Sequence, residues 1–296
     1  MSRWLITGAG GMLGCDLVAL LRDRGQEAIG LARRDLDITE EAAVGATVRG
    51  SRPDVVLNCA AWTAVDDAEA SEDRAAAVNG GGAAHVAAAC AAARIPLVHM
   101  STDYVFAGTA RRPYAEGDPP CPGTAYGRTK LAGEQAVRRL LPTAGYVVRT
   151  AWLYGAHGPN FVSTMMRLER ERSTVDVVAD QRGQPTWTVD VAGQLVALIR
   201  SRAPAGIYHA TSSGTATWFD LAREVFGLLG ADPARVRATT SSSYVRPAPR
   251  PSYSVLGHDA WSLAGIEPIG DWRPALRRAF PALVAARRDV VASGGG

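Results

Sequence analysis

Short, nearly continuous apolar runs alternate with longer amphipathic stretches along the first half of this chain. Trp4-Leu5-Ile6-Thr7, Ala28 to Leu31, Val55-Val56-Leu57-Asn58, Pro96 to Met100 and Tyr146 to Thr150 are the apolar runs. Strands of that kind are buried on both faces, as in a parallel sheet. Between them, helical spacing predicts helices from a glycine turn to about Arg24, from Thr39 and Glu40 onward, through the acidic stretch to Asp73, over Ala83–Ala93, and from Tyr126 to about Leu141. This alternation predicts an α/β fold that binds its ligands at the carboxyl ends of the strands. Gly80-Gly81-Gly82 predicts a break in the helical region around it, because glycine is a poor helix former. Trp62 to Asp67 reads as a loop on the rim of the sheet, and Pro-rich Arg112 to Gly123 as a loop leading to the Tyr126 helix.

After Thr150 the pattern loosens. Trp152-Leu153-Tyr154-Gly155, Gly158-Pro159-Asn160-Phe161 and Asp180 to Thr186 are aromatic or turn-rich, while Val189–Arg200 and Trp218–Leu229 predict helices and Gly206–His209 a strand. The Ala-Ser-Gly-Gly-Gly end reads as a frayed tail.

Composition narrows the class. A hydrophobic share of 47% over 296 residues builds a sizeable core, and a net charge of +3 is too small and too scattered for a nucleic-acid or membrane partner. No apolar run is long enough to span a bilayer and no signal peptide precedes the first strand, so a cytoplasmic location is expected. Cys15, Cys59, Cys90 and Cys121 lie far apart without metal-ligand spacing and read as reduced core thiols; the histidines form no H-x-x-x-H pair, and no metal site is predicted.

The chemistry begins at Gly8-Ala9-Gly10-Gly11-Met12-Leu13-Gly14, set between the first strand and the first helix. Gly8, Gly11 and Gly14 let the backbone turn tightly beside a pyrophosphate held at the helix N-terminus. Where such a site tells NADPH from NADH, at the end of the second strand, stand Arg33 and Arg34 in place of a carboxylate. Arg33, with Arg34 second, favours a 2′-phosphate and therefore NADPH, NADH remaining open. Asp37 is within reach of the adenine edge, and the small residues Cys59-Ala60-Ala61 end the third strand, where a cofactor lies close.

Tyr126 and Lys130, four apart, share one helix face. Lys130 is the only lysine among 32 Lys and Arg residues, so a compact ammonium is reserved for this place. An ammonium beside a phenol predicts a tyrosine pKa drawn down toward working pH, a tuned proton donor. Ser101 and Thr102 follow the fourth strand and offer hydroxyls to a substrate carbonyl, or turn caps. Arg246 to Leu256 is an extended basic segment, suited either to a diphosphate or to a solvated connector.

Together these motifs resemble the dTDP-4-dehydrorhamnose reductase family of extended short-chain dehydrogenase/reductases, over nearly the whole chain. The resemblance implies a Rossmann-type doubly wound parallel sheet in residues 1–151 and a smaller C-terminal substrate-binding domain in 152–296, with some segments returning to the sheet. It implies Thr102, Tyr126 and Lys130 as the catalytic set. Gly8, Gly10, Gly11, Met12, Leu13, Gly14, Arg33, Asp37, Ile38, Cys59, Ala60 and Ala61 would join Tyr126 and Lys130 around the cofactor. Val65, Asp66, Thr102, Asp103, Tyr104, Tyr126, Trp152, Asn160 and Arg250 would hold the sugar nucleotide. The implied activity is NADPH-dependent reduction of the C4 keto group of a dTDP-4-keto-6-deoxyhexose, with dTDP-4-dehydrorhamnose first. Two alternatives are a 4-ketoreductase making another deoxysugar and a non-catalytic NADP-binding regulatory subunit. Trp62, Ala107 and the glycines after Asn79 depart from the family pattern and leave the sugar stereochemistry open. A homodimer and a magnesium requirement also stay open.

Overall fold

The structure, a computed structural model, describes residues 2–293. Its first half runs β1 (Arg3–Thr7), α1 (Met12–Asp23), β2 (Glu27–Leu31), α2 (Glu41–Ser51) and β3 (Val55–Asn58). Next come α3 (Val65–Ala70), α4 (Glu72–Ala76), a π-helical turn (Ala77–Gly82), α5 (Ala83–Ala93) and β4 (Leu97–Thr102). A short 3₁₀ turn (Asp103–Val105), α6 (Ala125–Leu140) and β5 (Gly145–Thr150) complete it. After Thr150 follow β6 (Leu153–Tyr154), α7 (Phe161–Glu171), β7 (Val175–Val178), β8 (Arg182–Gly183), β9 (Thr186–Trp187) and α8 (Thr188–Ser201). The chain closes with β10 (Gly206–His209), β11 (Ala216–Thr217), α9 (Trp218–Leu228), β12 (Val236–Thr239), α10 (Asp259–Leu263) and α11 (Trp272–Ser293).

Six parallel strands form one sheet in the order β10-β5-β4-β3-β1-β2. The order reverses between β1 and β3, which opens a crevice beyond their carboxyl ends. Both faces are covered, as the apolar runs require. Leu13, Leu17 and Leu21 of α1 and Val191, Leu195 and Leu198 of α8 pack on one face. Val44, Val48, Val86, Cys90 and Val137 of α2, α5 and α6 pack on the other. A separate core joins α7, α9 and α11 around Met165, Phe226, Trp272 and Leu276. Thus β10 and α8, although late in sequence, belong to the sheet layer.

Four expectations are corrected. The glycines at 80–82 do not break the helix, because the backbone continues from α4 through the wider π turn into α5. Their absent side chains serve packing: a Cβ on Gly82 would lie 2.6 Å from Ile38 Cγ1, and one on Gly80 3.3 Å from Ala132 Cβ. Val65-Asp66-Asp67 is the first turn of α3, not loop. Cys121 is exposed, carried outward by the prolines around it, while all four cysteines are free. Of the expected tail, Ala292 and Ser293 belong to α11, while Gly294–Gly296 lie outside the described residues. No helix among the described residues is long and apolar enough to cross a membrane.

Candidate active site

The ends of β4 and β5, the 3₁₀ turn and the start of α6 meet at one place. Thr124 caps α6 by accepting the Gly127 N–H at 3.0 Å, and Glu69 Oε1 accepts the Ala125 N–H at 2.9 Å. Any side chain at position 127 would strike the Tyr104 carbonyl, so glycine lets the helix seat directly on the turn. That seating buries Tyr126 edge-on to Tyr104, ring centroids 5.6 Å apart, with the Thr102 hydroxyl close enough to offset part of the effect of burial on the phenol. Thr102 Oγ1 donates to Asp103 Oδ1 at 2.9 Å and accepts the Tyr104 N–H at 3.2 Å, so its hydroxyl serves both as a cap and as a neighbour of the phenol.

The pKa expectation for Tyr126 is reversed in direction. Burial pushes the phenol up to about 12, with the Thr102 hydrogen bond pulling the other way. Lys130 is not among the groups that lower it. Its ammonium is only 2% exposed and donates to the Met100 carbonyl at 2.6 Å, while burial brings it down to about 8. Spacing placed the two residues one turn apart, but it did not show that the phenol would lose its hydration and the ammonium would be held by a strand carbonyl.

A cleft of about 950 Å³ opens above this floor. Thr102, Asp103, Tyr104, Tyr126, Val65, Trp152 and Arg250 line it, which brings most of the expected substrate residues together. Asp103 is fully buried and burial pushes its carboxyl up to about 6; Oδ1 takes the Thr102 proton, and Oδ2 has no hydrogen bond of good geometry although Ser254 stands close enough to offset part of the rise. Trp152 has left-handed backbone (φ 47°) and stacks on Trp218 at 3.5 Å, the planes 5° apart. Trp218, Gln181 and Tyr244 are further lining residues that the sequence reading missed. The Thr217–Asp220 capping box was the available signal for Trp218, placing it first in α9.

Two expected substrate residues are occupied elsewhere. Asn160 is the N-cap of α7, exchanging hydrogen bonds with Ser163 and donating to the Gly155 carbonyl at 2.9 Å. Asp66 grips Arg250 through both oxygens (2.9 and 2.8 Å) and accepts the Ala248 N–H, which holds its carboxyl below the usual range despite partial burial. This pair ties α3 to the Arg246–Leu256 segment, which wraps back over the Gly108–Tyr114 loop rather than running as a solvated connector. Val65 alone of the α3 pair faces the cleft.

At the other end lies the glycine turn. Gly8 is left-handed (φ 67°), and a Cβ there would lie 2.6 Å from Ala60 N. A Cβ on Gly14 would strike the Gly8 carbonyl, so strand, turn and helix close on one another without side chains between them. Gly10 and Gly11 are exposed, and α1 begins with neither a side-chain cap nor an acidic residue in its first turn. Free N–H groups at a positive helix end fit a pyrophosphate. Met12 is half-buried at that end, whereas Leu13 points into the core and offers only backbone. Cys59, Ala60 and Ala61 are half-buried at the end of β3.

Arg33 has an 81% exposed side chain with one loose contact, to Asp37 at 3.5 Å; Arg34 is equally open. Asp37 is less free than expected, because its Oδ1 takes both the Thr39 N–H and hydroxyl, which holds its carboxyl low. Ile38 is a core residue against Gly82. Among the described residues no group of three or more His, Cys, Asp or Glu converges as metal ligands.

Comparison with known proteins agrees with this geometry. Residues 2–284 match the family described as RmlD substrate binding domain. The chain is 59% identical over 283 residues to a dTDP-4-keto-6-deoxy-D-glucose reductase of Streptomyces niveus, covering 96% of this chain and 98% of the relative. It is 58% identical over 285 residues to a dTDP-4-dehydrorhamnose reductase of Streptomyces griseus, covering 95% and 94%. Among solved structures, the dTDP-4-dehydrorhamnose reductase of Bacillus anthracis in complex with NADP aligns with a TM-score of 0.91 at 38% identity, over 94% of this chain and 98% of that one.

Proposed function

Since the chain belongs to the RmlD substrate binding domain family, we propose that it is a nicotinamide-dependent reductase of a dTDP-4-keto-6-deoxyhexose that turns the C4 ketone into an alcohol. NADPH is the preferred cofactor in this reading, because Arg33 and Arg34 stand open where a carboxylate would select NADH. When bound, it supplies the hydride. Gly8, Gly10 and Gly11 and the start of α1 hold its pyrophosphate.

The chain's own part is positioning and proton supply. Trp152, Tyr104 and Val65 enclose the sugar, Thr102 orients the C4 oxygen, and Tyr126 donates the proton. A phenol held near 12 keeps that proton at neutral pH, yet gives it up to the far more basic alkoxide that develops at C4. Lys130, buried one turn behind and tied to the Met100 carbonyl, would hydrogen-bond the nicotinamide ribose. The observation that carries the reading is that Tyr126 and Thr102, from the start of α6 and the end of β4, line one wall of the cleft.

The first sugar is dTDP-4-dehydrorhamnose. A second reading, reduction to another deoxysugar, is favoured by the near-equal identity to two relatives named for different substrates. Incubation with NADPH and each 4-keto epimer, followed by NMR assignment of C4 in the product, decides between them. Tyr126→Phe is expected to cut turnover by about 10²–10⁴-fold with little change in NADPH affinity. Near-normal turnover in that variant would refute the acid role.

A further inference from the structure

Three consecutive residues of β4 are stitched to three successive turns of one helix face. Thr102 meets Tyr126, the Met100 carbonyl takes the Lys130 ammonium at 2.6 Å, and the Ser101 hydroxyl donates to Glu134 Oε1 at 2.5 Å. Glu134 is 2% exposed and accepts two more bonds from Arg149, itself 1% exposed: Nε to Oε1 at 2.9 Å and Nη2 to Oε2 at 2.7 Å. Arg149 lies over the Phe106 ring at 4.8 Å and donates to His209 Nε2 at 3.5 Å; the other ring nitrogen, Nδ1, then carries the proton and donates to the Gly257 carbonyl at 3.0 Å. One buried carboxylate thus forms a fork with Arg149 one helical turn from a second buried cation, Lys130, and His209 beside the fork is neutral.

We infer that Glu134 is a positioning residue for the reduction: one helical turn beyond Lys130, it supplies the counter-charge that keeps this lysine cationic and directed at the strand end beneath Tyr126. Solvent cannot do this for a buried ammonium, and a charge stripped of water gives up its proton unless a neighbour opposes it. The other groups that face Lys130 do not. Cys59 at the end of β3 acts in the same sense as Glu134 but less, and burial holds its thiol up to about 12, protonated at neutral pH. His99 of β4, held well below its ordinary pKa, is neutral, Tyr126 is a protonated phenol, and Arg149 of β5, on the far side of the fork, is a like charge. Among its neighbours, Glu134 does most to offset the burial of Lys130. Arg149 and Ser101 in turn saturate Glu134 and fix where its charge lies.

Because Lys130 is the only lysine, protein grown on ¹³Cε-lysine gives one side-chain signal that reads it directly. Glu134→Gln is expected to move that titration down by about 1–3 pH units, and Glu134→Asp to return most of the shift. Arg149→Met removes a like charge and is expected to move it up. A residue that merely tethers α6 to β5 would give the same sense of change in both single variants, since each breaks the same pair. An unshifted Lys130 in Glu134→Gln, or shifts of one sign in Glu134→Gln and Arg149→Met, overturns the inference. The activity readout rests on the reductase reading: the alkaline limb of kcat in Glu134→Gln should move down with the lysine while KM for the sugar nucleotide stays within about twofold. Should the wild-type protein reduce no 4-ketosugar, that reading fails alone, and the titration still decides the role of Glu134.

Discussion

Two carboxylate–arginine forks frame the cleft, one in its floor and one at its rim. Glu134–Arg149 is 2% and 1% exposed, whereas Asp66–Arg250 is 27% and 24% exposed. Their chemistry is the same and their consequences are not. In the floor, neither charge can be hydrated once its partner is gone, so the pair is permanent. At the rim, water stands in for a lost partner at little cost, so a diphosphate can compete with Asp66 for Arg250. The floor fork fixes α6 beneath Tyr126, while the rim fork is open enough to exchange partners.

The sharpest way to break this comparison is to remove one member of the floor pair. Arg149→Met leaves Glu134 buried without its guanidinium and is expected to cost about 3–5 kcal/mol, read as a drop in the urea midpoint. A loss below about 1 kcal/mol would mean that water reaches the floor and that the two forks are alike.

Next comes acidification, which reaches the floor before the rim, because Asp66, held below the usual carboxylate range, loses its charge only at lower pH. Burial first, and Arg149 second, hold His209 at about 3, below the ordinary 6.5. Between those values the unfolded chain binds a proton that the folded chain refuses. Stability is therefore lost as pH falls from 6.5 toward 3, by up to about 1.4 kcal/mol per unit. His99 acts in the same direction. Asp103, raised to about 6, opposes them, because between its ordinary value and 6 the folded chain binds the extra proton. Melting temperature followed from pH 7 downward should show a His209→Gln variant with a flatter acid limb than the parent; parallel limbs would disprove the assignment.

The smallest effect belongs to the rim. Asp66→Asn keeps an oxygen for the Ala248 N–H but removes the charge that competes for Arg250. Stability should change by less than about 1 kcal/mol, while KM for the sugar nucleotide falls several-fold at low salt and the difference shrinks as salt is added. A raised KM would show instead that Asp66 holds Arg250 in place for the substrate.

The order of strands and helices was legible because it follows from local periodicity, and so was the cluster at Thr102, Tyr126 and Lys130, whose spacing lies within one helix and one strand end. The glycine turn was legible because Gly14 answers to backbone contacts a few residues away, at Gly8 and Ala9, whereas the contact of Gly8 with Ala60 belongs to the fold. Glu134–Arg149, Asp66–Arg250 and the Trp152–Trp218 stack were not, since each joins residues that the sequence gives no reason to pair and only the folded chain brings into contact. Asn160 shows a further local role that its neighbours did not reveal, since its side chain caps α7.

The amino-acid order by itself determined the α/β alternation, the glycine turn between β1 and α1 and the one-turn spacing of Tyr126 and Lys130. Only the tertiary structure decided how those groups are charged. Protonation depends on how much water is excluded and which charges remain, and both are set by elements arriving from distant parts of the chain. Burial carried Tyr126 up where spacing alone had suggested down, and Glu134 acquired its place opposite Lys130 only once α6 had settled on the ends of β4 and β5.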